Sequence, residues 1–141
     1  MKEALGNNVE SITSKIESKQ LTIEILDSFI LHTKHEYGTT HKKLCYAKIE
    51  RIYRRVLEGY RFGGIKISNN ELIIDGNHRY IAYKLAEIEF DVIKAGRNFS
   101  DEIRKINDIE IDKEHDWDYN CHADRKYCTD EFLSDPKYNK E

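Results

Sequence analysis

One stretch of the 141-residue chain constrains its fold more than any other. An apolar run, Leu72–Ile74, passes through Asp75 and Gly76 directly into a helical pattern. The run is typical of a short buried strand, and an Asp-Gly pair is typical of a turn. From Asn77, apolar residues recur at helical spacing through Leu85. The sequence therefore predicts a strand, a tight turn and a helix that begins at once.

Three helices are predicted before this stretch. Val9–Ile16 has helical spacing, and a second apolar run follows Thr22 and stops at Gly38. A third helix is predicted from a cap at Thr39 or Thr40 as far as Gly59. Its apolar stripe consists of Cys45, Ile49, Ile52 and Val56.

Short strands flank the central stretch. Residues 65–68 predict a strand that a tight turn joins to Leu72–Ile74, and residues 90–94 predict another. Ser100 is placed to cap a short helix that runs through Ile106. The acidic and aromatic chain after Asp108 has weak periodicity, which predicts an irregular segment packed on the domain.

Together these patterns predict a small mixed sheet with helices, an α/β (α+β) fold. Three regions are predicted: an N-terminal helical extension (1–40), a core (41–107) and an acidic C-terminal tail (108–141). The N-terminal helices are predicted to offer a surface for a protein partner.

Composition excludes several classes of protein. No apolar run approaches the roughly 18 residues that a membrane span needs, and the first residues contain no apolar segment of the kind a signal peptide requires. The 3 Cys residues are irregularly spaced, which fits a reducing compartment better than a disulfide framework. The sequence therefore predicts a cytoplasmic protein without a membrane partner.

Charge is distributed unevenly along the chain. Residues 41–66 carry 8 basic and 2 acidic side chains, whereas residues 108–141 carry 5 basic and 11 acidic ones. The basic segment also contains several aromatic residues, a combination that favours nucleic acids. The side chains predicted to contact DNA or RNA are Lys48, Arg51, Arg54 and Arg55. The alternatives are a solvated helix face and a basic helix that the acidic tail covers.

The turn between the central strand and its helix is predicted to bind an anion. The first N–H groups of a helix have no intrahelical partner, and the helix dipole adds partial positive charge there. Gly76 lets the backbone approach a ligand closely, Arg79 offers a charged fork, and His78 offers a titratable donor. Together these features suit a phosphate. In the alternative interpretation, Asn77 only caps the helix and Arg79 pairs with Asp75.

The segment Asp75–Tyr83, Asp-Gly-Asn-His-Arg-Tyr-Ile-Ala-Tyr, resembles the signature of the ParB/sulfiredoxin superfamily. Its first five residues differ from the motif of the DGQHR-domain branch only at Asn77. The similarity in element order extends over roughly residues 41–95. The reactive Cys of sulfiredoxins and the Glu of ParB proteins both fall at Asn77, which excludes sulfiredoxin chemistry because an amide is no nucleophile.

The resemblance implies a nucleotide-binding α/β fold in which this turn holds the phosphates of ATP or CTP. By position, Gly76 and Asn77 contribute backbone N–H groups, and His78 and Arg79 contribute side chains. Asp75 and His78 then form an acid–base pair beside the phosphates, and Asp75 is also placed to hold Mg²⁺. The predicted function is an ATP- or CTP-binding phosphotransferase or nucleotide hydrolase.

Three alternatives stay open. One is a DNA- or RNA-binding protein or nuclease that uses the basic segment, and another is a nucleotide sensor or binding module without catalysis. The third is a zinc site in the tail, where possible ligands are scattered at spacings wider than those of closed zinc sites. These residues are His115, Asp116, Asp118, Cys121, His122 and Cys128.

Overall fold

The computed structural model describes residues 20–96, 103–138 and 140. Its α-helices are α1 (Ile23–His32), α2 (Tyr46–Leu57), α3 (Asn77–Ala86) and α4 (Trp117–Asn120). Its strands are β1 (Gly38–Thr39), β2 (Lys43–Cys45), β3 (Ile65–Ile67), β4 (Leu72–Asp75), β5 (Val92–Lys94), β6 (Arg104–Lys105) and β7 (Glu110–Asp112). Short 3₁₀ helices cover Ile106–Asp108, His122–Cys128 and Glu131–Ser134. The predicted mixed α/β (α+β) fold is confirmed.

The main sheet has five strands in the order β5-β3-β4-β1-β6. Strands β3 and β4 form the predicted antiparallel hairpin, while β1 runs parallel to β4 and β5 runs parallel to β3. Strand β6 pairs antiparallel with β1, and β2 and β7 form a separate parallel pair. Strand β4 is therefore central, and its side chains Leu72 and Ile73 are buried.

The predicted passage from strand to helix is confirmed at Gly76. This residue caps α3 with φ 97°, a left-handed conformation that glycine adopts without a steric penalty. A Cβ atom at this position would lie 2.9 Å from Nη2 of Arg79 and 2.9 Å from Cδ1 of Ile65. The backbone conformation therefore favours glycine at the turn, and a larger residue would also have to displace the ends of the Arg79 and Ile65 side chains.

Helices α2 and α3 pack against each other and against the sheet. The predicted apolar stripe of α2 is buried at Cys45, Ile49 and Val56, and Ile52 is partly buried. Tyr80, Ile81 and Tyr83 of α3 are also buried. The N-terminus of α3 is consequently fixed between the sheet and α2.

The predicted helix boundaries around residue 38 are wrong. Helix α1 starts after Thr22, whose hydroxyl accepts a hydrogen bond from the N–H of Ile25, but it ends at His32. Gly38 does not stop a helix, because Gly38 and the following threonine form β1 in register with Leu72–Ile73. Pairing with the central strand outweighs the local pattern of a helix stop and cap.

Thr39 and Thr40 do not cap the next helix. The hydroxyl of Thr39 donates a hydrogen bond to Oδ1 of Asn77 at 2.6 Å, which ties β1 to the start of α3. Helix α2 begins only at Tyr46, directly after β2. The chain between the two predicted helices thus forms sheet rather than helix.

Other sequence predictions differ in extent or lie outside the described residues. The last predicted strand begins at Val92 instead of residue 90. Arg104 and Lys105 form a strand rather than the end of a helix, while Ser100 and the predicted helix over 9–16 fall outside the described residues. No helix in the described residues combines the length and apolar character needed to cross a membrane.

Candidate functional site

A cavity of about 490 Å³ opens where β4 passes into α3. The structure brings the whole predicted turn to its wall: Asp75, Gly76, Asn77, His78 and Arg79. Of the basic residues predicted to contact nucleic acid, three also line it: Lys48, Arg51 and Arg55. The predicted phosphate site and the predicted nucleic-acid site therefore line the same cavity, although Arg54 does not belong to its lining.

The N-terminus of α3 is uncapped at this cavity. Gly76 has no side chain to hydrogen-bond the first turn, and that turn contains no acidic residue. The leading N–H groups of a helix lack intrahelical partners and carry the positive end of the helix dipole. A phosphate placed here would supply both the missing acceptors and the complementary charge.

Arg79 lies beside this helix end. Its Nη2 donates a hydrogen bond to the carbonyl oxygen of Gly64 at 2.8 Å and lies 3.6 Å from Oδ2 of Asp75. Its Nε is buried and has no hydrogen-bond partner within the part of the chain that the structure describes. The pairing with Asp75 that the sequence allowed is therefore present, yet the guanidinium keeps an unused donor.

His78 is neutral and held in one tautomer. Its Nε2 accepts a hydrogen bond from the N–H of Cys45 at 2.9 Å, so the ring proton lies on Nδ1. Burial, reinforced by the charge of Lys48, lowers the pKa of His78 from 6.5 to about 3. Its ring meets that of Trp117 edge-on at 5.4 Å. This arrangement provides an N–H donor and does not favour a general acid at neutral pH.

Asn77 and Asp75 differ in what they present to the cavity. The side chain of Asn77 is 6% exposed and accepts the hydrogen bond from Thr39. Its side-chain oxygen is therefore already engaged, whereas its backbone N–H stands in the first turn of α3 and has no acceptor within the helix. The Asp75 carboxylate is 57% exposed, so water solvates it even beside Arg79.

Carboxylates of the C-terminal tail pair with the basic residues of α2. Arg51 donates hydrogen bonds to Oδ2 of Asp116 and, at 2.6 Å, to Oδ2 of Asp118. Lys48 lies 3.7 Å from Oδ1 of the same Asp118. Burial lowers the pKa of Arg51, but its hydrogen bond and charge interactions with these carboxylates outweigh burial and raise the pKa above its usual value.

Arg55 is more deeply buried than the sequence indicated. Its side chain is 3% exposed and donates to Oδ1 of Asp130 and to the carbonyl oxygens of Tyr127 and Thr129. Its guanidinium also lies over the ring of Phe132 at 4.7 Å. Arg54, in contrast, is 41% exposed, and its ion pairs with described residues are two long ones, to Glu58 and Asp130.

The cavity also has an aromatic wall, and four of its five side chains come from the tail, which sequence reasoning did not assign to the site. The aromatic side chains that line the cavity are Phe62, Trp117, Tyr127, Phe132 and Tyr138. Three of them pack edge to face, because the ring of Phe132 lies 5.1 Å from Tyr127 and 5.0 Å from Tyr138. The opposite charges of segments 41–66 and 108–141 were the available signal, but charge alone cannot specify which tail side chains reach the cavity.

The six tail residues considered for zinc do not gather into one group in the described part of the chain. Asp116 and Asp118 bind Arg51, and the ring of His115 contacts Asp112 at 3.2 Å. Cys121 and His122 are exposed, while the thiol of Cys128 lies 3.8 Å from Oδ2 of Asp116. Within residues 20–96, 103–138 and 140, no three His, Cys, Asp or Glu side chains are grouped as a metal site requires.

The chain was compared with known proteins. It matches no protein-family model, no curated protein and no solved structure. The similarity to the ParB/sulfiredoxin superfamily consequently rests on Asp75–Tyr83 and the order of the elements around it, and family membership stays a prediction.

Proposed function

We propose that this protein binds a nucleoside phosphate, with a phosphate group at the N-terminus of α3. The observation that carries the proposal is the convergence of an uncapped ten-residue helix and Arg79, whose Nε has no partner among the described residues, on one cavity. Backbone N–H groups from Asn77 onward, the Nδ1–H of His78 and the guanidinium are donors that suit phosphate oxygens.

The aromatic wall supports a nucleoside as the rest of the ligand. A free phosphate would use only the polar side of the cavity, whereas Phe132, Tyr127 and Tyr138 offer an apolar side. Aromatic side chains stack on nucleobases whatever the base. A cavity of about 490 Å³ also falls within the size range of small-molecule sites. ATP and CTP, with or without Mg²⁺, are the predicted ligands to try first.

Binding is better supported than catalysis. His78 is neutral at pH 7, because its pKa is lowered to about 3, and its Nε2 is occupied by the N–H of Cys45. It can donate a hydrogen bond to a phosphate but has no labile proton to transfer at that pH. Phosphoryl transfer or hydrolysis by Asp75 and His78 therefore stays a prediction.

Nucleic-acid binding by α2 is less favoured than nucleotide binding. Lys48, Arg51, Arg54 and Arg55 each pair with carboxylates of the tail. Phosphate backbones would have to displace these carboxylates before contacting the helix. DNA or RNA binding stays a prediction, as does a protein partner for the N-terminal helices, whose first nineteen residues lie outside the described structure.

Replacing Lys48 by Met is expected to weaken nucleotide binding about tenfold, which corresponds to about 1.4 kcal/mol, because the buried carboxylate of Asp118 loses one of its two cation partners and then repels the phosphates more strongly. The side chain lines the cavity, is 28% exposed and lies at a long 3.7 Å from its carboxylate partner. Isothermal titration calorimetry with ATP, CTP and GTP measures the effect. The same experiment at higher salt should lower the affinity of the wild type more than that of the variant.

Lys43→Met is the matched control. Lys43 is 49% exposed and pairs with Glu110 at 3.8 Å, away from the cavity. Lys43→Met removes the same charge from the protein as Lys48→Met but should leave the affinity for nucleotides unchanged. Equal losses in both variants would assign the effect to net charge, and a wild type that binds none of the three nucleotides would exclude the proposed function.

A further inference from the structure

The cations that line the cavity are already paired with carboxylates of the protein. Each lysine and arginine on the wall has a carboxylate oxygen within 3.7 Å: Lys48 and Arg51 pair with Asp118, Arg55 with Asp130 and Arg79 with Asp75. Asp124 lines the cavity as well. The site therefore offers directed hydrogen-bond donors without a large excess of positive charge.

Asp118 is the most buried of these carboxylates. It stands at the start of α4, is 5% exposed and lies between Lys48 and Arg51. Asp75 and Asp130 are 57% and 55% exposed, so water screens their charges far more. Among the paired carboxylates of the wall, Asp118 therefore exerts the strongest field on a ligand.

A bound nucleotide meets two different environments. Its first phosphate gains the N–H groups of α3 and the donor of Arg79, and these interactions depend on direction as much as on charge. Each further phosphate adds negative charge. Lys48 and Arg51, two cations of α2 that line the cavity, are paired with two carboxylates, Asp118 and the Asp116 partner of Arg51, so the added charge gains little attraction and meets the buried Asp118.

We infer that Asp118 determines how strongly the cavity prefers ligands of higher negative charge, and that because of it nucleoside monophosphates bind as tightly as triphosphates. This inference rests on the proposed function. Asp118 acts here as a specificity-determining residue: it neutralises the cations that would otherwise favour a triphosphate. One phosphate group is therefore enough for full affinity, and the ligand class that the site fits includes nucleoside monophosphates.

The test compares the affinities of AMP, ADP and ATP in EDTA, so that no metal masks their charges. For the wild type, we expect the dissociation constants of AMP and ATP to agree within about threefold. Asp118→Asn keeps the shape of the side chain and removes its charge, and it should shift the ATP-to-AMP affinity ratio about tenfold toward ATP. Asp118→Glu should leave the ratio close to that of the wild type.

Asp27→Asn is the matched control, since Asp27 pairs with Lys113 at the surface at 2.9 Å. Asp27→Asn makes the same change in net charge as Asp118→Asn and should leave the ATP-to-AMP affinity ratio unchanged. A tail loosened by Asp118→Asn would weaken AMP and ATP alike, so the ratio separates specificity from damage to the fold. An unchanged ratio in Asp118→Asn, or a wild type that strongly prefers ATP, overturns this inference alone. Failure of all three nucleotides to bind the wild type overturns the proposed function and this inference together.

Discussion

Replacing Arg55 by Met is expected to lower the free energy of unfolding by about 3 kcal/mol. The buried guanidinium donates at 2.9 Å to the carbonyl oxygen of Tyr127 and at 3.1 Å to that of Thr129. Without it, two part-buried carbonyl groups lose their donor, and each such loss costs about 1–3 kcal/mol. Part of this cost is offset, because the methionine variant no longer has to bury a positive charge away from water. Burial of that charge is the main cause that lowers the pKa of Arg55.

Arg54→Met, at the adjacent position, is the control. That side chain is 41% exposed, and its ion pairs with Glu58 and Asp130 are 3.8 and 3.7 Å long. Exposed pairs of this kind contribute about 0–1 kcal/mol. Urea denaturation followed by circular dichroism compares the two variants. Similar losses in both would show that the tail is not held to α2 by Arg55.

His78→Gln is expected to make the protein less sensitive to acid. The folded state holds the pKa of His78 at about 3, against 6.5 in the unfolded chain. The unfolded state therefore binds a proton first as the pH falls, and the stability contributed by neutral His78 is complete above pH 6.5 and lost toward pH 3. The loss amounts to about 1.4 kcal/mol per pH unit, or about 2 kcal/mol between pH 6.5 and 5.

Glutamine suits this test because its side-chain oxygen can accept the hydrogen bond that Cys45 now donates to Nε2. The measurement is the free energy of unfolding in urea at half-unit steps from pH 7 to pH 4. The wild type should lose more stability than the variant over this range. His122→Gln, which changes an exposed histidine, should follow the wild-type curve. If the curves of the wild type and of His78→Gln are parallel, His78 does not stay neutral in the folded protein.

Local patterns predicted the parts of the fold whose contacts are local. The β3–β4 hairpin, Gly76 and the start of α3 follow from turn chemistry and helical spacing. Strand β1 could not be found in this way, because Gly38 and Thr39 gain their structure from pairing with Leu72 and Ile73 more than thirty residues later. A Gly-Thr-Thr sequence read alone favours a helix stop and a new cap.

The same difference between local and long-range contacts decides which residues of the candidate site could be predicted. The residues of the turn were identified from the sequence, since the helix terminus and its donors lie within five consecutive positions. The tail side chains of the cavity could not be identified in this way, because the partners of Arg55 follow it by more than seventy residues in the chain. Charge asymmetry indicated that the tail and α2 attract each other. It could not show that Asp118 is buried beside Lys48.

Backbone amide NMR tests directly whether a phosphate binds at the N-terminus of α3. AMP and adenosine are titrated separately into ¹⁵N-labelled protein while the signals of Asn77, His78 and Arg79 are followed. We expect saturable shifts of these three amides with AMP and much smaller shifts with adenosine, because only AMP places an acceptor at the helix end. Amides that stay unmoved by AMP, or that move equally with adenosine, would contradict it.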